Sequence, residues 1–210
     1  MAAGLNFLAS LYRDQGKYTE AEPLYQRSLA VFRKVLGPEH PNVAQSLNNL
    51  ASLYHAQGKY TEAEPLYEQA IEIREKILGP EHPSLATDLS NLASLYQSQG
   101  KHTEAEALYQ RSLAVFKKVL GPEHPNVAQS LNNLASLYHA QGKYTRAEPL
   151  YKQAIAIEEK ALGPEHPSLA TMLENYARLL REMRRNREAE KLDTRAKAIR
   201  AKHAQENPED

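Results

Sequence analysis

The chain of 210 residues has no cysteine and no tryptophan. Without cysteine there is no disulfide and no thiolate metal site. Phenylalanine occurs three times, so the aromatic content rests on 12 tyrosines. An excess of charge of one sign is also missing, because 26 Lys and Arg balance 26 Asp and Glu. A neutral total gives no electrostatic pull toward nucleic acid or an anionic membrane, and neither is expected as a partner. No apolar run approaches the ~18 residues that a membrane helix needs. The start, Met1-Ala2-Ala3-Gly4-Leu5, lacks the basic segment and long apolar stretch of a signal peptide, so the expected location is cytoplasmic. Gly-rich phosphate loops, nucleophile elbows and H-E-x-x-H motifs are absent, and no serine has an identifiable base. Neither enzymatic activity nor a cofactor is expected.

What the chain does have is repetition. The hexapeptide Leu-Gly-Pro-Glu-His-Pro starts at Leu36, Leu78, Leu120 and Leu162, each 42 residues after the last. A fixed period of this size marks an array of one supersecondary unit, whose usual use is to hold another polypeptide. Within the second copy, Val43, Leu47, Leu50, Ala51 and Tyr54 recur at helical spacing. Gly58 closes that helix. Thr61 and Glu64 then read as a capping box, and Pro65 falls in the tolerant first turn. Ala63, Leu66, Tyr67, Ala70, Ile73 and Ile77 form the inward face of the second helix, which Gly79 ends. Small residues at Ala51, Ala63 and Ala70 let the two helices approach closely. The pattern predicts five A helices near 2–15, 42–57, 84–99, 126–141 and 168–183. It predicts five B helices near 19–36, 61–78, 103–120, 145–162 and 187–203. The repeats are therefore about 1–41, 42–83, 84–125, 126–167 and 168–203, with 204–210 a disordered acidic tail.

Leu47, Leu50-Ala51, Tyr54, Gly58, Tyr60, Ala63, Tyr67 and Ala70 are spaced like the tetratricopeptide signature, which this chain resembles from residue 1 to about 203. The 42-residue period, the Leu-Asn-Asn-Leu-Ala-x-Leu-Tyr string and the Gly-Pro-Glu-His-Pro linker resemble its kinesin light chain-like class. The resemblance implies an all-α, right-handed superhelix of about five repeats that binds protein or peptide. It also implies that A helices line a concave groove. On a wheel of helix 42–57, Gln45, Asn48, Asn49, Ser52 and His55 point away from the apolar face. Equivalent positions hold Asn91 and Ser94, then Gln129, Asn132, Asn133, Ser136 and His139, then Asn175. An Asn amide both donates to and accepts from a peptide bond, so the column Asn49, Asn91, Asn133, Asn175 could hold an extended backbone. Inner-face Asn residues do so in related superhelical proteins. The other role open to the column is to tie adjacent repeats together. A carboxylate clamp would need Lys or Arg along the groove, which has basic residues only at Arg13 and in the last copy.

Histidines that recur at one place in the repeat lie one or two repeats apart, too far for a ~2 Å zinc shell, so no metal site is expected. Four of them, His40, His82, His124 and His166, sit in the linkers, where each is expected to cap or pack against a helix end. Tyr25, Tyr67, Tyr109 and Tyr151 fall at the repeat's buried aromatic position rather than on a nucleic-acid stacking surface.

Residues 17–87 match 101–171 nearly letter for letter, so an 84-residue block is duplicated. The ends depart from it. Phe7 replaces the column asparagine, while Leu180, Arg184, Arg187 and Asp193 replace the repeated Tyr, Gly, Thr and Tyr. The last copy is strongly basic, as a solvated cap or as a local site for an acidic segment. Near-identical copies make end-to-end self-association the second expectation.

Overall fold

The computed structural model describes residues 1–206, and among them there are ten helices and no strand. They are α1 (Ala2–Asp14), α2 (Tyr18–Leu36), α3 (Pro41–Ala56), α4 (Tyr60–Leu78), α5 (Pro83–Ser98), α6 (His102–Leu120), α7 (Pro125–Ala140), α8 (Tyr144–Leu162), α9 (Pro167–Glu182) and α10 (Asn186–Glu206). Boundaries agree with the periodicity to within a residue, except that α10 continues to Glu206. Residues 207–210 of the expected tail lie outside the described residues. Two compact units divide within α6, the first Met1–Ser112 and the second beginning at Leu113. In the first unit α1 pairs with α2 and α3 with α4; α3 also meets α2, and α5 packs on α4. In the second, α7 pairs with α8 and α9 with α10, and α9 packs on α8.

The linker explains why each pair restarts. Gly79 has φ 82° and ψ 169°, a backbone region essentially closed to other residues, so α4 must stop there. Pro83 then occupies the first turn of α5, where its missing N–H costs nothing. Between them His82 supplies the N-cap, its Nδ1 accepting from the Ser84 N–H at 3.1 Å. His40 and His124 do the same for Asn42 and Asn126, both at 3.1 Å. These are the helix-end roles that the linker spacing predicts. In the last turn between helices Arg184 replaces glycine and keeps its positive φ of 60°.

The expected capping box does not form. α4 begins one residue early, at Tyr60, so Lys59 becomes the N-cap and has no side-chain oxygen to offer. Thr61 instead donates to Glu62 at 2.7 Å. Glu64 is drawn to the next repeat, where Lys101 Nζ (3.1 Å) and Gln99 Nε2 (3.2 Å) donate to it.

The core follows the columns. Val43, Leu47, Ala51, Leu53, Ala63 and Ala70 are fully buried, as are Tyr25, Tyr67, Tyr109 and Tyr151 to within 3%. Burying one such leucine contributes roughly 1.5–3 kcal/mol, so each helix face depends on its neighbours. Ala51, Ala63, Tyr67, Leu92 and Leu95 form one cluster across α3, α4 and α5. Leu169, Ala170, Leu173, Ala196 and Ile199 form another, joined by Ile155 of α8. Ile77 is an exception to the predicted inward face. It is 43% exposed, like Val35 and Val119 at the same place in their repeats. The apolar stripe of α2, α4 and α6 outlasts the cover their neighbours give.

Candidate functional site

The outward columns of the A helices form layers. In the first unit Gln45 is exposed and donates through Nε2 to Asn49 Oδ1 at 2.9 Å, one helical turn on. Asn48, expected beside them on the open face, is 6% exposed. It accepts from Asn91 Nδ2 of the next A helix at 3.0 Å. Asn6 of α1 likewise donates to Ser46 of α3 at 2.9 Å. In the second unit Gln129 donates to Asn133 at 2.8 Å, and Asn175 to Asn132 at 3.2 Å, with Asn132 4% exposed. Asn91 and Asn175 therefore reach backward to a buried amide with one N–H, and each amide also carries a second N–H and a carbonyl oxygen.

The serine column has a structural partner. Ser52, Ser94 and Ser136 meet the hydroxyls of Tyr67, Tyr109 and Tyr151, the buried tyrosines of the paired B helices. Burial pushes all three phenols up to about 12, with the serines partly offsetting that rise. Arg13 Nη1 also donates to Ser52, at 3.4 Å.

The histidine column differs between copies. His55 Nε2 lies 3.0 Å from Ser98 Oγ, and burial lowers its pKa. His139 Nε2 lies 3.1 Å from the Glu182 carboxylate, which also accepts from Tyr144 OH at 2.7 Å. Those two contacts, the tyrosine first, hold Glu182 below the usual carboxylate range. Each histidine stands edge-on to a tyrosine, Tyr60 at 5.7 Å and Tyr144 at 5.9 Å between ring centroids. A cleft of about 460 Å³ opens beside His139, Tyr144, Arg178 and Glu182. A second, of about 290 Å³, is lined by Phe7, Phe32, Asn6, Gln45 and Asn49.

Sequence reasoning missed one buried ion pair. Arg74 of α4 and Asp88 of α5 approach to 2.5 Å (Nε–Oδ2), with side chains 7% and 1% exposed. Arg74 also donates to Gln45 Oε1 at 2.7 Å, which links the pair to the outer column. The Asp88 carboxylate is almost fully buried, with the Arg74 guanidinium as its charged partner. Burial accordingly raises the Asp88 carboxyl, and Arg74 offsets only part of that. The signal was in the repeat columns. Arg74 stands where Phe32 and Phe116 stand, and Asp88 where Ser46 and Ser130 stand, so two polar departures coincide at one junction.

Among the described residues no cluster of three or more His, Cys, Asp or Glu could hold a metal ion, and no helix is long and apolar enough to cross a membrane.

The tetratricopeptide repeat pattern matches residues 1–76, 43–117, 84–160 and 132–202. No curated protein matches the chain. Among solved structures, the kinesin light chain nearly identical TPR-like repeats of Podosopora anserina are 35% identical, over 96% of this chain and 95% of that one, with a TM-score of 0.74. A variant of that protein gives 34% identity, coverage of 97% and 96%, and a TM-score of 0.76. BtubC (BKLC) from P. vanneervenii is 29% identical over 95% of this chain and 79% of that one, with a TM-score of 0.78. Repeats of this kind generally serve as protein-interaction or scaffold modules. With its helix pairs, its 42-residue linkers and matches along nearly its whole length, the chain belongs to the tetratricopeptide repeat family, in its kinesin light chain-like class.

Proposed function

We propose that the chain is a non-enzymatic scaffold that holds an extended peptide or a partner protein along the outward columns of its A helices. One observation carries this reading: an uncharged amide row, Gln45–Asn49 and Gln129–Asn133, recurs on helices whose opposite faces are fully buried. Amides on a fixed backbone can bond a peptide main chain without reading its sequence. Gln45, Asn49, Asn91, Gln129, Asn133 and Asn175 are the contact residues in this reading. Asn48 and Asn132 support two of them from below. Ser52, Ser94, Ser136, His55 and His139 flank the row, with their first bonds made to the scaffold.

The test replaces Asn49, Gln129 and Asn133 by alanine together, after a peptide-array screen has found a ligand, and leaves Gln45, the acceptor of the buried Arg74, in place. Loss of about one hydrogen bond per repeat weakens binding about tenfold or more, with melting unchanged. A fall in melting temperature with affinity intact overturns the assignment.

A second reading, self-association, has its own support. Leu8 and Leu11 are 38% and 46% exposed, although Leu53, Leu95, Leu137 and Leu179, which match Leu11, are fully buried. Light scattering across a concentration series separates the two, since mass that grows with concentration favours assembly.

A further inference from the structure

The linker histidines do more than end one helix pair and start the next. A backbone N–H points at Nδ1 of His40, His82 and His124, at 3.1 Å each time. An imidazole accepts at Nδ1 only when that nitrogen carries no proton, so all three rings hold their hydrogen on Nε2. Protonation would put an N–H against an N–H and place a cation at the positive end of a helix dipole, two effects of the same sign. Imidazole is the side chain whose ordinary protonation falls between pH 5 and 8. We propose that His40, His82 and His124 form a distributed acid-sensitive clasp, which fixes the first turns of α3, α5 and α7 when neutral and releases them when protonated.

The surrounding charges leave this response in place. No acidic residue stands in the first turn of α3, α5 or α7. The last turns of the preceding helices carry Arg33 and Lys34, Lys76, and Lys117 and Lys118. Each histidine has a glutamate before it. Glu39 is engaged by Lys76 and Glu123 by Lys160, both at 2.5 Å. Glu81 adjoins His82, and the nearby Glu75 is paired with Arg111 at 2.6 Å. Glu72 faces the first linker together with Arg33.

The fourth linker is an internal control. His166 Nδ1 lies farther from its backbone donor, at 3.4 Å, and 2.6 Å from Ser168 Oγ. That hydroxyl in turn bonds the buried Glu158. A proton on Nδ1 there would find an oxygen acceptor, so acid does not simply break the contact.

The test compares the unaltered chain with the triple variant His40→Asn, His82→Asn, His124→Asn. Asparagine is a strong N-cap that does not titrate in this range. Between pH 7.5 and 5.5 the unaltered chain should lose on the order of 5–10 °C more in Tm than the variant, three caps being removed from one and none from the other. The two proteins share every other titrating group, including Asp88, so those contributions cancel. The same loss in both proteins overturns the proposal. Should the triple variant fold poorly at pH 7.5, His124→Asn alone and His166→Asn serve, with the larger flattening expected from His124. Nitrogen-15 spectra at pH 8 give an independent reading: unprotonated Nδ1 in the three rings supports the clasp, and protonated Nδ1 overturns it.

Discussion

α3 and α7 have the same sixteen residues, Pro-Asn-Val-Ala-Gln-Ser-Leu-Asn-Asn-Leu-Ala-Ser-Leu-Tyr-His-Ala, yet they do not have the same surroundings. His55 faces a hydroxyl on Ser98, and His139 faces a carboxylate on Glu182. Tyr54 is half-buried, whereas Tyr138 is 3% exposed because Arg146 lies 3.9 Å over its ring where α4 has Glu62. The helix pair downstream of α3 closes on the next repeat with Arg74 and Asp88. The pair downstream of α7 closes with Glu158 and Met172, and Glu158 bonds Ser168 instead. Identical helices thus acquire different chemistry from their own B helix and from the next repeat. In a duplicated array the informative residues are those at the junctions that escaped duplication.

The sharpest way to break the comparison is to remove Arg74. Arg74→Ala leaves the Asp88 carboxylate buried without a counter-charge and should cost about 3–5 kcal/mol in urea unfolding above pH 7, where that carboxyl is ionised in the unaltered fold. The double variant Arg74→Phe with Asp88→Ser installs the residues that the equivalent junctions carry at Phe32 with Ser46 and at Phe116 with Ser130. It should be neutral or stabilising by about 1–4 kcal/mol. It should also change the pH dependence. The Asp88 carboxyl is raised in the folded state from its ordinary 3.8 to about 7, so its stabilising contribution is full below the lower value and is lost as pH rises through the higher one. The double variant should lack that decline. A decline that persists would show that Asp88 is not its source.

A smaller effect separates the ordinary turns from the last one. Arg184 holds the positive φ that glycine holds at Gly16, Gly58, Gly100 and Gly142. Arg184→Gly should raise stability by about 1 kcal/mol, read from the melting of the last repeat. No gain would mean that the arginine side chain compensates for the backbone.

The smallest effect converts one histidine environment into the other. Ser98→Glu places beside His55 the carboxylate that His139 already has. His55, lowered by burial, should then titrate higher in an NMR pH series, while stability moves by no more than about 1 kcal/mol. An unmoved titration would show that the two columns differ for another reason.

Much of the fold was legible, because a 42-residue period, a glycine at each helix end and apolar residues at helical spacing all point the same way. The starts of α3, α5, α7 and α9 lie one residue from the expected position, a shift fixed by proline entering the first turn. The failures share a cause. Thr61 and Glu64 spell a capping box locally, yet Glu64 is taken by Lys101 and Gln99, 35 and more residues away. Asn48 looks outward on a wheel of its own helix, yet Asn91 of the next repeat covers it. Ile77 looks inward, yet it stays 43% exposed at the end of α4. A helical wheel knows one helix, and each of these residues is decided by another repeat. Gln45 and Asn49 bond to each other within α3, and Gln45 also accepts from Arg74 of α4, a partner no wheel of α3 shows.

The buried pair at the α4–α5 junction has a consequence for how such a chain can change length. Loss of repeat 2 alone would set Asp88 against Phe32, and loss of repeat 3 alone would set Arg74 against Ser130, so either deletion strands a charge in the interior. Loss or doubling of residues 42–125 as one piece strands nothing, because Phe32 then meets Ser130, or each Arg74 keeps an Asp88. The interior chemistry therefore makes two repeats, not one, the inheritable unit of this array, and the 84-residue duplication in its sequence has that length.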